Sequence, residues 1–202
     1  MNYNRLFHET TEKEYDKKPS LLLHSCCAVC SSYVISLLLD VFDTTVLYYN
    51  PNIYPQAEYV KRKNEQLRIL SEIYGEKAKY LDFDYDHGEF LTAATGFENE
   101  PEGGARCAKC FRLRLSKTAE TAKKNGFDLF ATTLTVSPHK NADVINKIGE
   151  ELSKEYDVGW LYSDFKKQNG FLRSGEIAKQ YSIYRQSFCG CEFAYRGEHN
   201  EK

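Results

Sequence analysis

The stretch LLLHSCCAVCSSYVISLLLDVF, residues 21–42, reads as a short β-rich run, a connection and a helical pattern. A connection of this kind, leading from a strand into a helix, more often carries glycines that cradle a phosphate. Here it holds three thiols, Cys26, Cys27 and Cys30, two of them adjacent.

The same alternation continues outward from this unit. TVLYYN (45–50), KYLDF (79–83), DLFATTL (128–134) and VGWLY (158–162) are further strand candidates. Between and after them lie helical patterns at 56–75, 111–126, 141–156 and 175–185. In the first of these Val60, Leu67, Leu70 and Tyr74 can line one apolar face. Gly75 and Gly126 stand where helix C-caps are expected, and Asn141 is a candidate N-cap. Strands alternating with helices predict an α/β fold, a parallel sheet of about five strands with helices on both faces. The 202 residues suit one α/β domain with a polar N-terminal segment (1–19) and a C-terminal tail (185–202).

Charged residues make up 28% of the chain and the net charge is −2, which excludes a uniformly basic nucleic-acid coat but not a local basic face. The N-terminus lacks an apolar stretch of signal-peptide length, and no segment approaches the roughly 18 apolar residues of a membrane span. The expectation is a cytoplasmic protein without a membrane partner. One composition shift runs from Asp82 to Glu102, with seven acidic residues and no Lys or Arg, ending in Gly103-Gly104. It reads as a solvated excursion or as a flap over a site.

All seven cysteines fall in close groups: Cys26, Cys27 and Cys30, then Cys107 and Cys110, then Cys189 and Cys191. Buried structural cysteines would be scattered as small hydrophobes, so the grouping points to metal or redox chemistry in a reducing compartment. Ligands in open parallel sheets bind beyond the carboxyl ends of the strands. The first two thiol groups, Asn50-Pro51-Asn52 and Ser137-Pro138-His139-Lys140 are all expected at that edge. Arg106, Lys109 and Arg112, with a helix N-terminus, are expected to lower the Cys107 and Cys110 pKa values. Two thiolates do not complete a structural zinc or a cubane cluster, and Cys26 and Cys27 can supply the rest. Vicinal cysteines diverge and suit a many-metal object better than one small ion, although zinc stays open. Cys30 is then a ligand for a second metal or a free thiol. Cys189-Gly190-Cys191 suits an easily reduced disulfide couple better than a structural staple.

The blocks LHSCCAVCSSY, YYNPNIYP, EGGARCAKCFRLRL, TTLTVSPHKN and YRQSFCGCEF, in this order over roughly residues 20–194, resemble the QueH type of epoxyqueuosine reductase. The resemblance implies a HUP-like (adenine nucleotide α-hydrolase-like) domain whose phosphate loop is replaced by metal ligands. It implies a [4Fe–4S] cluster on Cys26, Cys27, Cys107 and Cys110, with an adjacent iron at Cys30. It implies a redox-active disulfide between Cys189 and Cys191. The phosphate-binding SGGxDS loop is missing, so ATP is not expected, and the resemblance implies no cobalamin. The implied reaction removes the epoxide oxygen of epoxyqueuosine in a tRNA anticodon loop as water, using an electron donor that the sequence does not identify.

His139 is the first candidate for proton donor, since imidazole titrates nearest neutrality, with Tyr54 and Tyr184 as alternatives. Arg106, Lys109, Arg112, Arg114, Lys140, Arg173, Tyr184 and Arg185 are candidate RNA contacts, where cations meet phosphates and aromatics stack on splayed bases. Two other classes compete. A zinc-stabilised RNA-binding or adaptor domain leaves Cys30 and the CGC pair unexplained. A thiol–disulfide oxidoreductase using the CxxC leaves Cys26 and Cys27 without a role.

Overall fold

The computed structural model of the protein describes residues 1–194, so the end of the expected tail, 195–202, lies outside the described residues. Five parallel strands, β1 (Ser20–His24), β2 (Asp43–Tyr48), β3 (Lys79–Asp82), β4 (Leu129–Thr132) and β5 (Gly159–Trp160), form one sheet in the order β3-β2-β1-β4-β5. The chain steps outward from β1 to β3, then returns to pair β4 on the other side of β1. The crevice beyond the carboxyl ends of β1 and β4 is therefore the switch point where such sheets bind ligands.

β1 is apolar on both faces because both are covered: Leu21, Leu22 and Leu23 are all fully buried. Leu22 pairs with Thr45 and Phe130 on the face covered by α5 (Ala105–Lys124) and α6 (Ala142–Tyr156), through Leu115, Ala119, Ile145 and Leu152. Leu23 pairs with Val46 and Ala131 on the other face, under Val34, Ile35 and Leu38 of α2 (Ala28–Leu38). α7 (Gly170–Gln180) packs on α2, and Phe7 of α1 (Tyr3–Thr11) joins the same core. Each fully buried leucine contributes about 2 kcal/mol. This architecture, a five-stranded parallel sheet with helices on both faces, agrees with the expected HUP-like class.

Several elements depart from the sequence reading. α2 starts at Ala28, inside the cysteine connection, where Cys27 caps it by accepting the Cys30 N–H on its Sγ at 3.5 Å. Residues 133–136 form a 3₁₀ turn, not the end of β4, since Thr132 Oγ1 accepts the Leu134 N–H at 3.2 Å. α7 begins at Gly170, where a Cβ would sit 1.8 Å from the Phe165 carbonyl oxygen, and ends at Gln180, before Ser182 turns the backbone with φ 48°. The acidic stretch contains a helix, α4 (His87–Ala94), whose Phe90 is buried against Cys110 and Cys191. Phe90 and Ala94 anchor the stretch, while most of its other residues are exposed and none of its acidic side chains is buried, in keeping with a solvated excursion.

Of the apolar face expected along 56–75, Leu70 and Tyr74 are buried in the core, but the part on α3 (Gln56–Ile69) is corrected. Val60 and Leu67 are 44% and 39% exposed, while the buried side chains are Tyr59, Arg62, Gln66 and Ile69. A polar pair faces inward because its partners are loops of the site described next. Among the described residues, no helix is long and apolar enough to cross a membrane.

Candidate active site

Two loops at the switch point are tied together. The Cys26 N–H donates to Thr133 Oγ1 at 3.1 Å, and the Thr133 hydroxyl donates to Cys26 Sγ at 3.4 Å. From the other side Gln66 Oε1 accepts the hydroxyls of Ser25 at 2.6 Å and Ser31 at 2.8 Å, fixing both ends of the cysteine loop. The Sγ atoms of Cys26, Cys27 and Cys30 lie within 4.8 Å of one another. The Cys26 and Cys27 sulfurs are 4.0 Å apart.

Sharing protons in so small a space separates the three thiols. Hydrogen bonds from Cys27 and Cys30 outweigh burial and hold Cys26 well below the usual thiol range. The hydrogen bond each gives to Cys26, with burial behind it, pushes Cys27 up to about 11 and Cys30 well above its ordinary value. Two cations balance the charge on Cys26. Burial acts to lower the Lys140 pKa, but the sulfurs of Cys26, Cys189 and Cys30 raise it overall. Arg114 is buried, and its guanidinium donates to Asn50 Oδ1 at 2.5 Å and to His24 Nε2 at 3.3 Å, with Cys110 Sγ at 4.0 Å. Burial, and then Arg114, lowers the His24 pKa to about 3, so its imidazole is neutral. Its Nδ1 faces Thr132 Oγ1 at 2.8 Å, and its Nε2 lies between the Arg114 Nε at 3.3 Å and the Tyr49 carbonyl at 3.2 Å.

Cys107 and Cys110 sit in the first two turns of α5, outside the three-sulfur group. Their expected pKa depression is overturned. Burial raises both, Cys110 to about 12, outweighing the opposite pull of Arg106 on Cys107 and of Arg114 on Cys110; the Arg106 guanidinium itself donates to the carbonyls of Phe97, Glu98 and Glu100. Arg114 connects the two thiol sets through its bond to Cys110 and its charge near Cys26.

Cys189 and Cys191 lie on a segment folded back over the sheet edge, and all seven cysteines are free thiols in the structure. Gly190 makes the bend with φ 108°, where a Cβ would sit 3.1 Å from both Arg62 Nη1 and Ile53 Cγ1. Arg62, 2% exposed, donates to the carbonyls of Cys189 at 3.1 Å and Phe188 at 3.3 Å, and its Nε to Glu58 at 2.7 Å. Glu58 in turn accepts the Tyr184 hydroxyl at 3.0 Å. The Gly190 carbonyl accepts the Tyr54 N–H at 2.8 Å, and His87 bonds Glu192 at 2.9 Å and the Pro51 carbonyl at 2.7 Å. Sequence reasoning missed Arg62, Glu58, Gln66, His24 and His87. His24 stands in the first cysteine block without drawing notice there, the other four lie outside the cysteine motifs, and Arg62 and Gln66 stand where an apolar helix face was expected.

The folded-back segment roofs three joined cavities, all lined by Cys189 and Lys140. An outer cavity of about 370 Å³ holds Cys30, His139, Phe171 and Arg185. A second of about 230 Å³ reaches Cys107, and an inner recess of about 30 Å³ reaches Cys26 and Arg114. His139 is exposed at the mouth. Of the candidate RNA contacts, Arg185 and Lys140 line the outer cavity, with the Arg185 guanidinium 5.9 Å from the Phe171 ring. Arg173 is exposed beside Tyr33, and Lys109 sits over the Phe97 ring. Arg112 is paired to Glu151 at 2.7 Å and to Glu155 at 3.2 Å. Arg106 and Arg114 are corrected: at 3% and 2% exposure, with their guanidiniums bonded inside the protein, neither is placed to meet a phosphate. Tyr184 is half-buried on Glu58 with the Lys61 ammonium 3.5 Å from its ring centre.

Comparison with known proteins converges on one family. The family model described as "Epoxyqueuosine reductase QueH" matches residues 21–197. A Streptococcus pyogenes serotype M1 protein named epoxyqueuosine reductase QueH is 44% identical over 200 residues, covering 96% of this chain and 78% of its own. Proteins of the same name from Staphylococcus epidermidis and Staphylococcus aureus are 39% and 41% identical. These cover 96% and 88% of this chain, and 84% and 76% of their own.

Proposed function

The chain belongs to the epoxyqueuosine reductase QueH family, and from that premise we propose that it reduces the epoxide of epoxyqueuosine in a tRNA anticodon loop to the alkene of queuosine. The observation that carries this reading is the shared cavity wall. Cys189 lines the recess that reaches Cys26, the outer cavity that holds Cys30 and the cavity that reaches Cys107.

The donors fit a soft metal centre, since the close three-sulfur group is all thiol and lies beside two cationic side chains that offset thiolate charge. Cys26, Cys27, Cys107 and Cys110 would hold a [4Fe–4S] cluster and Cys30 an adjacent iron. Such a centre supplies single-electron steps and a Lewis acid toward the epoxide oxygen.

The remaining chemistry belongs to the chain's own side chains. Conversion of an epoxide to an alkene breaks both C–O bonds and takes up two electrons and two protons, releasing water. Oxidation of Cys189 and Cys191 to a disulfide releases the same two electrons and two protons. An external electron donor then restores the thiols. Arg62 holds the carbonyl of Cys189, and Gly190, with φ 108°, makes the bend between the two cysteines. Lys140 places positive charge where the oxygen departs, and His139 stands at the mouth as the proton source. Arg185 and Phe171 offer the RNA a cation and a ring beside the same opening. A reducing, cytoplasmic setting goes with cysteines grouped for metal or redox chemistry rather than scattered as half-cystines.

The test is conversion by anaerobically prepared protein of tRNA carrying epoxyqueuosine, with dithionite as reductant and mass detection of the loss of one oxygen from the nucleoside. Conversion supports the reading. Protein that holds only zinc and leaves the epoxide intact contradicts it and favours a structural thiol site.

A further inference from the structure

Asn50 and Asn52 flank one proline after β2, yet the chain uses their amides differently. The Asn50 amide is fully engaged: Nδ2 donates to the Ser25 carbonyl at 2.9 Å and Oδ1 accepts from Arg114 at 2.5 Å. Asn52 is 1% exposed, and its Oδ1 has no donor among the described residues. Gln186 Oε1, on the roofing segment, is buried and lacks a donor in the same way. Both amides line the inner recess, together with Cys26, Lys140 and Cys189.

Buried oxygens without donors are unfavourable in a protein interior, and two in one recess point to a partner that arrives from outside. We infer that Asn52 and Gln186 are specificity-determining residues that accept hydrogen bonds from hydroxyl or amine groups flanking the substrate's epoxide. The inference rests on the reductase reading. An epoxide oxygen carries no hydrogen and can only accept, so the cationic donor Lys140 suits it and the two amide oxygens do not. They need donors elsewhere on the same ring. The recess, about 30 Å³, has room for a water and shares Gln186, Lys140 and Cys189 with the outer cavity. The outer cavity takes the ring, and its polar hydrogens replace water in the recess. A site that hydrogen-bonds a substrate in this way rejects analogues without those groups, because its own acceptors then stay unpaired.

The experiment measures the affinity of anaerobically prepared holoprotein for two tRNAs, one carrying epoxyqueuosine and one with guanosine at that position. The variants are Asn52→Leu and Gln186→Met, which keep volume and remove the acceptor; Asn52→Ala repeats the test without a branched side chain. Each should weaken binding of the epoxyqueuosine tRNA about tenfold and leave the guanosine tRNA within about twofold. Metal content should be unchanged and thermal stability without tRNA equal or higher, since an unsatisfied acceptor has been removed. Unchanged discrimination, an equal loss for both tRNAs, or a fall in stability of the free protein would overturn the assignment and leave a structural water as the occupant. Wild-type protein that neither discriminates nor converts the epoxide removes the reductase reading and this inference together. Wild-type protein that does both while the variants match it removes this inference alone.

Discussion

Arg62 of α3 donates to the backbone carbonyl of Cys189 at 3.1 Å, across 127 positions of sequence. A buried guanidinium with Glu58 behind it thus sets where the CGC bend lies relative to the thiols of the switch point.

Arg62→Lys should keep the charge and lose the two-carbonyl grip, because an ammonium has no planar fork. Turnover is expected to fall about tenfold with metal content retained. Arg62→Ala should go further, destabilising the protein by about 3–5 kcal/mol in urea melts, since Glu58 is left buried without its partner. Wild-type turnover in the lysine variant would remove Arg62 from the positioning of Cys189.

Serine at Cys189 or Cys191 should leave iron and sulfide content unchanged while multiple turnover on epoxyqueuosine tRNA fails. Normal turnover in these variants would end the relay role of the pair. Loss of metal would instead place them among the ligands.

Glu65 accepts from Arg68 at 2.6 Å and from the Tyr184 N–H at 2.8 Å, and the Arg68 hydrogen bonds are the main cause that holds its carboxyl below the usual range. A carboxylate depressed on folding adds stability that is complete above its unfolded pKa, about 4.3, and disappears as pH falls through the folded value. Stability should therefore drop with acid below about pH 4.3, and Glu65→Gln should flatten that part of the profile. An unchanged acid profile in the glutamine variant would contradict the assignment.

Arg185→Ala should weaken tRNA binding and lower the slope of log K against log salt by about 0.7, the loss of one single-strand phosphate contact. Arg106→Ala should leave that slope unchanged. It strips donors from the Phe97, Glu98 and Glu100 carbonyls, so faster proteolysis around 97–104 is its expected signature.

The sheet and the thiol loop were legible in the sequence for a physical reason. Leu21–Leu23 is covered on both faces and reads as a continuous apolar run, and Cys26 follows directly at the switch point. Asn141 was readable as a cap because an Asn side chain bonds its own helix start, here the Asp143 N–H at 2.9 Å. α3 was misread because hydrophobic periodicity assumes an apolar interior. Its inward face carries Arg62 and Gln66, whose partners Cys189 and Ser25 are remote in sequence. Arg106 and Arg114 look like members of a basic surface run, and only the fold reveals that backbone carbonyls, Asn50 and His24 absorb their donors. The grouping of cysteines pointed to metal or redox chemistry; their individual pKa values depend on burial that spacing does not encode.

The proposed function requires that thiols from the loop after β1 and from the start of α5 hold one inorganic centre. Iron and acid-labile sulfide, assayed in anaerobically prepared wild-type protein and in Cys26→Ser and Cys110→Ser, decide this. About four of each per chain are expected in the wild type, besides any adjacent iron, with loss of the cluster in both variants. Full iron and sulfide in Cys110→Ser, or zinc without sulfide in the wild type, would contradict it.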